Sequence, residues 1–250
     1  MIDSHTHLHI CKDDDAALVA AAWEAGVTKM LTVGTDVESS RIALEAAERF
    51  ASVFAAVGVH PNSAAGFGDR EYSELVELAG EPAVKAVGET GLDYFREGAP
   101  AEDQKRAFSA QIEIARTVGK PVVIHTREAD EDTLAVLEAE TDGVKVILHC
   151  FSMPSRIDQV LTHQNWWVSF AGNATYPRNT DFREAAVQVP AERLLVETDA
   201  PYLTPVPFRG KPNTPELVVK TAEALAVERR VSYADFDQAV VRAAADAFNW

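Results

Sequence analysis

The residues of this chain that can do chemistry are histidines and carboxylates, and they recur where short apolar runs end. The opening run Met1–His5 leads into His5-Thr6-His7. Residues two apart on a strand point the same way, so these two imidazoles can hold one metal ion. Glu89 follows the run Ala83–Val87 and sits in Gly88-Glu89-Thr90-Gly91-Leu92-Asp93. An unpaired carboxylate there is costly to desolvate, and the two flanking glycines point to backbone bent tightly near a ligand. His125 closes Val122-Val123-Ile124, and His149 closes Val146-Ile147-Leu148. The last run, Leu194-Leu195-Val196, delivers Glu197 and Asp199 just before Ala200-Pro201. Asp199, beside the proline turn, is the site candidate; Glu197 reads as a structural pair, and His9 as a surface histidine. Each residue alone has an ordinary explanation, such as a core histidine or a buried ion pair. Together, four imidazoles and two carboxylates make two divalent sites of N/O character if one carboxylate bridges.

Such a set must be positioned by strands that all end at one face. Eight β-rich runs are expected, at Met1–His5, Val27–Val33, Val53–Val59, Ala83–Val87, Val122–His125, Val144–His149, Trp166–Phe170 and Leu194–Glu197. They are continuously apolar rather than alternating, which suits parallel strands covered on both faces. Helical spacing occupies Asp14–Glu24, Glu38–Phe50, Glu71–Ala79, Glu102–Val118, Asp130–Glu140, Ser155–Thr162 and Asp181–Gln188 between them. Two further helices are expected in the tail, one opened by Thr214-Pro215 and one by a capping box at Ser232 and Asp235. An alternating string of this kind admits a doubly wound sheet or a closed barrel. Even spacing, no Gly-rich phosphate fingerprint after the first strand, and a length near the usual 250 residues favour an α/β fold of the (β/α)8 TIM-barrel type. That barrel is expected to be one domain spanning residues 1–250. The candidate ligands then fall at the C-terminal ends of strands 1, 4, 5, 6 and 8, the rim where this fold builds active sites.

Composition narrows the rest. Lys and Arg number 23 against 39 Asp and Glu, giving a net charge of −16, with 47% hydrophobic and 25% charged residues. These proportions exclude a disordered or collagenous chain. The longest apolar run, Ala16–Trp23, falls well short of the roughly 20 residues a membrane helix needs. No basic segment followed by an apolar one opens the chain, and the two cysteines, Cys11 and Cys150, suit reduced thiols in a cytoplasmic protein. The acidic balance argues against coating long duplex DNA. Divalent ions and arginines at the mouth would still leave a locally positive rim on an acidic shell.

The chain resembles the TatD family of metal-dependent hydrolases, within the amidohydrolase superfamily. The likeness rests on Asp3-Ser4-His5-Thr6-His7-Leu8, Gly58-Val59-His60-Pro61, Gly88-Glu89-Thr90-Gly91-Leu92-Asp93-Tyr94 and Ile124-His125-Thr126-Arg127. It continues through His149-Cys150-Phe151-Ser152, Glu197-Thr198-Asp199-Ala200-Pro201-Tyr202-Leu203 and the stretch Pro205–Pro215. The resemblance implies a deoxyribonuclease that cleaves phosphodiester bonds with two divalent ions, of the Zn, Mg, Mn, Ni or Fe kind. It implies that His5, His7, Glu89 and Asp199 hold one ion, and that Glu89, bridging, holds the second with His125 and His149. Asp199 is then the expected general base. Arg127 is the foremost substrate contact by position, with Arg209, Lys211, His60 and Tyr202 as further candidates and Arg178 a weaker one. Met153 and the stretch Thr175–Asn179 depart from the family pattern in loops expected to face substrate. DNA, as ends or single strands, is the expected partner, with no membrane and no obligate protein partner. The nearest alternative is a hydrolase of the same superfamily acting on a lactone, phosphotriester or cyclic amide. Such relatives commonly bridge their ions with a carboxylated lysine, whereas here the rim offers Glu89, with Lys85 four residues earlier. A metal-stabilised binding protein without turnover is the other reading.

Overall fold

Runs that are apolar on both sides cannot leave a face in water, and all eight find parallel neighbours in chain order within one sheet. The computed structural model describes residues 1–250. The strands are β1 (Ile2–Thr6), β2 (Lys29–Val33), β3 (Val53–Val57), β4 (Val84–Asp93), β5 (Val122–Arg127), β6 (Val146–Leu148), β7 (Trp166–Phe170) and β8 (Leu194–Val196). Helices α1 (Asp15–Glu24), α2 (Val37–Arg49), α3 (Asp69–Gly80), α4 (Ala101–Val118), α5 (Asp130–Glu140), α6 (Ile157–Leu161) and α7 (Thr180–Gln188) alternate with them. Two more, α8 (Val218–Glu228) and α9 (Tyr233–Phe248), follow the last strand. The result is the expected (β/α)8 barrel, nearly closed. Its seam between β8 and β1 is bridged beside the site. Asp199 N–H donates to the His5 carbonyl and His7 N–H to the Ala200 carbonyl, both at 2.9 Å. Inside the barrel, Ser4 Oγ donates to the Val196 carbonyl at 3.0 Å.

Local chemistry explains where the helices begin and stop. Asp36 caps α2 by accepting the Ser39 N–H at 2.7 Å, and Gly119, at φ 66°, ends α4 in the left-handed conformation. Helix α4 buries Ala107, Phe108, Ile112 and Ala115 against the sheet, each large apolar side chain contributing about 1.5–3 kcal/mol. Two expected boundaries shift. Proline favours a tight first turn, so a 3-10 turn at Pro154–Arg156 precedes a short α6, and another at Pro215–Leu217 precedes α8. Thr214 bonds the Glu216 side chain at 2.7 Å instead of capping a helix.

The fourth strand departs most from expectation. It runs ten residues rather than five, with a register irregularity between Val87 and Thr90. The cause is glycine. Gly88 and Gly91 both hold φ near 136°, and a Cβ at Gly91 would stand 2.0 Å from the His125 carbonyl oxygen. These two positions let the strand bend over β5 and carry both Glu89 and Asp93 to the barrel mouth.

Candidate metal centre

Four of the imidazoles and two carboxylates meet above the C-terminal ends of the strands, and all of these but His5 line a cavity of about 700 Å³. His5 and His7 come from the end of β1, Glu89 from the bent part of β4, His125 from β5, and His149 and Asp199 from the residues just past β6 and β8. Glu89 is buried at their centre, and its two oxygens divide the cluster. Oε2 faces His5 Nε2 at 3.4 Å and His7 Nε2 at 3.7 Å. Oε1 faces His125 Nδ1 at 2.9 Å and His149 Nε2 at 3.0 Å. Asp199 Oδ1 completes the first group, 3.4 Å from His7 Nε2 and 3.9 Å from His5 Nε2.

Hydrogen bonds fix which nitrogens are free. His7 Nδ1 lies 2.8 Å from the Val33 carbonyl and must donate to it, which leaves a lone pair on Nε2. The Nε2 atoms of His5 and His7 then face one another at 3.2 Å. The five measured spacings within this first group run from 3.2 to 3.9 Å. Donors on a tetrahedron around a transition-metal ion stand roughly 3.3–3.4 Å apart, given bonds of about 2.0–2.1 Å. Converging donors at this spacing fit a divalent cation. Oxygen and imidazole donors without a thiolate accept Zn²⁺, Mn²⁺, Fe²⁺ or Ni²⁺, and Mg²⁺ less readily.

A second layer of carboxylates orients the second group. Glu197 is fully buried; its Oε1 accepts from His149 Nδ1 at 2.9 Å and from the Cys150 N–H at 2.8 Å. Asp93 does the same for His125, with Oδ2 3.2 Å from Nε2. Both histidines are thus held between a backing carboxylate and Glu89, the arrangement that sets tautomer and basicity in metal sites. Gln111, buried on α4, ties the β3 and β4 ends together by accepting the Val59 N–H at 2.7 Å and donating to Thr90 Oγ1 at 2.7 Å. Gln104 clamps the Asp93 backbone from the same helix.

Electrostatics follow from this geometry. Burial alone would raise the Glu89 carboxyl, but His149, His60 and His125 beside it hold it well below the usual carboxylate range. Burial likewise opposes charge on Asp199, yet hydrogen bonding to His7 and the nearby imidazoles lower it. His149 is pushed well above an ordinary histidine, because Glu89 and Glu197 outweigh its desolvation. His5, buried beside His149, is lowered. The Cys150 thiol is driven up by burial among Asp199, Glu197 and Glu89, and it belongs to none of the side-chain groups spaced to hold an ion. Asp199 and Cys150 both sit at positive φ, 54° and 41°, the left-handed region that non-glycine residues hold only at a cost.

The remaining expected contacts divide. His60 lies within the mouth, Nε2 3.7 Å from Glu89 Oε1, and Arg127 and Tyr202 line the cavity. Arg209 and Lys211 do not line it: Arg209 stacks on Tyr176 at 4.2 Å, and both are exposed. Lys85 points away, its ammonium 5.5 Å from the Phe54 ring, so no lysine offers itself as a bridge. Reading the chain as a string missed Arg96, which lines the cavity, and the backing role of Asp93. The Gly88–Asp93 stretch carried a signal for Asp93, since its two glycines allow the strand to continue.

Three comparisons bear on this geometry. The profile described as TatD related DNase matches residues 2–249. The chain is 44% identical over 241 residues to the "uncharacterized metal-dependent hydrolase TatD" of Mycobacterium tuberculosis, covering 92% of this chain and 91% of that protein. It is 36% identical over 211 residues to the "3'-5' ssDNA/RNA exonuclease TatD" of Escherichia coli, covering 84% and 81%. Among solved structures, the TatD homolog YJJV of Escherichia coli superposes with a TM-score of 0.92 at 29% identity, covering 100% of this chain and 98% of that one.

Proposed function

The chain belongs to the TatD related DNase family of metal-dependent hydrolases, and on that premise we propose that it hydrolyses phosphodiester bonds in nucleic acid, at ends or in single strands. The observation that carries the reading is the division of Glu89, one oxygen turned to His5 and His7 and the other to His125 and His149. This supports two ions sharing Glu89: one held by His5, His7 and Asp199, the other by His125 and His149. Bound there, divalent cations supply Lewis-acid activation of water and compensation for phosphate charge. The nuclease relative named above supports nucleic acid as the substrate class, and the polar, arginine-edged mouth agrees with it.

The chain's own groups divide the remaining work. Asp199 lines the cavity, and the imidazoles beside it keep it ionised, the form in which a carboxylate accepts a proton from water. Arg127 and Arg96 line the same cavity and offer forked donors to the phosphate oxygens. His60 has a narrower role. Its Nδ1 accepts the Asn62 N–H at 3.1 Å, and burial lowers its pKa to about 4. The ring is therefore neutral with its proton on Nε2, a hydrogen-bond donor to substrate rather than a ligand. Asp93, Glu197, Gln111 and Gln104 hold the working groups in register. No helix is long and apolar enough to cross a membrane, and two free thiols fit a reducing cytoplasm.

The test is a cleavage assay on labelled single-stranded DNA. Activity is expected with Mn²⁺ or Mg²⁺ and none in EDTA, and Asp199→Asn should lower the rate at least about 100-fold. A panel with a lactone and a phosphotriester under the same metal separates this reading from the superfamily alternative. Turnover of either in preference to DNA overturns it.

A further inference from the structure

Phe95 is a large apolar ring left 55% exposed, and it stands next in the chain to Arg96, which lines the cavity. The Arg127 guanidinium lies over it, 3.8 Å from the ring centroid, so one face is covered and the exposed area belongs to the rest of the ring. Arg127 itself lines the catalytic cavity. The position of Phe95 is fixed by the metal centre's own supports. The N–H groups of Phe95 and Arg96 both donate to Asp93 Oδ1, at 2.9 and 3.0 Å. The other oxygen of that carboxylate faces His125 Nε2 at 3.2 Å. From the other side, the Tyr94 N–H donates to the Arg127 carbonyl at 2.9 Å, and the Tyr94 hydroxyl bonds Asp132 at 2.7 Å. The Phe95 backbone is thus two residues from a group in contact with a ligand candidate, and pinned on both sides.

We propose that Phe95 is a stacking platform for the nucleobase next to the phosphodiester being cleaved, with Arg127 behind the ring and Arg96 beside it for the adjoining phosphate. The proposal rests on the phosphodiesterase reading above and names a base subsite within it. The chemistry favours a nucleotide. An apolar ring with one arginine over it and a second next in the chain at the cavity wall matches a ligand with a π-face and an adjoining anion, as single-stranded nucleic acid presents at every step. A lactone or a small phosphotriester has no planar base to place there. Stacking also tolerates any base, because each has a π-face, so the subsite recognises unpaired strand rather than sequence. A paired base has its faces covered by its neighbours, which restricts the platform to frayed or single-stranded ends. Tyr202, which lines the same cavity, is also exposed, its ring 6.5 Å from that of His7.

The experiment is a two-way cycle using the metal-loaded enzyme and oligonucleotides with one abasic residue moved stepwise along the strand. In the wild type, one abasic position should raise KM about tenfold, within the roughly 5- to 150-fold range expected for a lost stacking contact. Phe95→Ala should raise KM on the intact strand by a similar factor, and the abasic residue should then cost nothing further. Phe95→Tyr should restore both values. If the two penalties multiply, or Phe95→Ala leaves KM unaltered, the platform is wrong. A loss with Phe95→Ala that is equal on intact and abasic strands at every position means that the ring only props Arg127, which also overturns it. Binding of the same labelled strands to the Asp199→Asn protein, followed by fluorescence anisotropy, repeats the cycle without turnover. A wild type that cleaves neither DNA nor RNA under Mn²⁺ refutes the phosphodiesterase reading itself, whereas cleavage without the coupling refutes the subsite alone.

Discussion

Replacing Glu197 by glutamine removes one charge from behind His149 and almost nothing else. The side chain is fully buried, so solvent cannot compensate, and Oε1 accepts from both His149 Nδ1 at 2.9 Å and the Cys150 N–H at 2.8 Å. A glutamine oxygen can accept the same bonds with the same reach. What changes is their strength: a hydrogen bond to a charged group is worth about 1.5–3 kcal/mol and a neutral one about 0.5–1.5. The loss is therefore about 1–1.5 kcal/mol in the basicity of His149 toward a metal, or about five- to twelvefold in affinity at about 1.4 kcal/mol per decade. That sits near the lower end of the 10- to 100-fold cost usual for removing a ligand's backing group. The assay is calorimetric titration of metal-free protein with Mn²⁺, compared between wild type and Glu197→Gln. One of two binding steps, the one assigned to His125, His149 and Glu89, should weaken by that factor. The step assigned to His5, His7 and Asp199 should move much less. Thermal unfolding of both metal-free proteins checks that the fold survives. An unchanged titration in a folded variant, or equal weakening of both steps, refutes the assignment of Glu197 as the support of one ion.

Other consequences follow from the same geometry. His149, His125 and His7 hold their protons to higher pH than ordinary histidines in the metal-free protein, because Glu89 and its neighbours outweigh desolvation. Metal must displace those protons, so affinity should fall as pH drops through neutrality, with proton release visible as a buffer-dependent heat; a pH-independent affinity contradicts this. Gly91→Ala should cost on the order of 3 kcal/mol, or about 6–12 °C in the unfolding midpoint, since its Cβ meets the His125 carbonyl oxygen at 2.0 Å. Gly26→Ala, where nothing lies within 4 Å, should cost only about 1–2 kcal/mol. Arg127→Ala should raise KM for DNA about tenfold or more, well above the effect of Arg209→Ala, because only Arg127 lines the cavity.

The barrel could be read from the chain because each unit repeats the same signal, a continuous apolar run followed by an amphipathic stretch. The candidate ligands could be read because a parallel barrel sends every strand end to one rim, so His5, His125 and His149 needed only their strands to be found. What escaped depended on contacts between distant strands. Asp93 became a backing group because two glycines let β4 run on beside β5, and a strand's length past a bend is not written in its apolar pattern. Glu197 meets His149 across the barrel interior, over the intervening β7, a pairing no local spacing encodes. Arg209 and Lys211 were drawn toward the mouth by their position after β8, but neither lines the cavity, and Arg209 lies over the Tyr176 ring. Loop direction is set by tertiary packing, and charge alone does not report it.

The central claim is that a centre shared through Glu89 cleaves nucleic acid. Its most direct test is the rate of single-stranded DNA cleavage, measured against Mn²⁺ bound per chain as chelated protein is reloaded. Cleavage should be absent without metal, rise with occupancy to two ions per chain, and be lost in Glu89→Gln together with at least one bound ion. Full cleavage in EDTA, or by a Glu89→Gln protein at the wild-type rate, would contradict it.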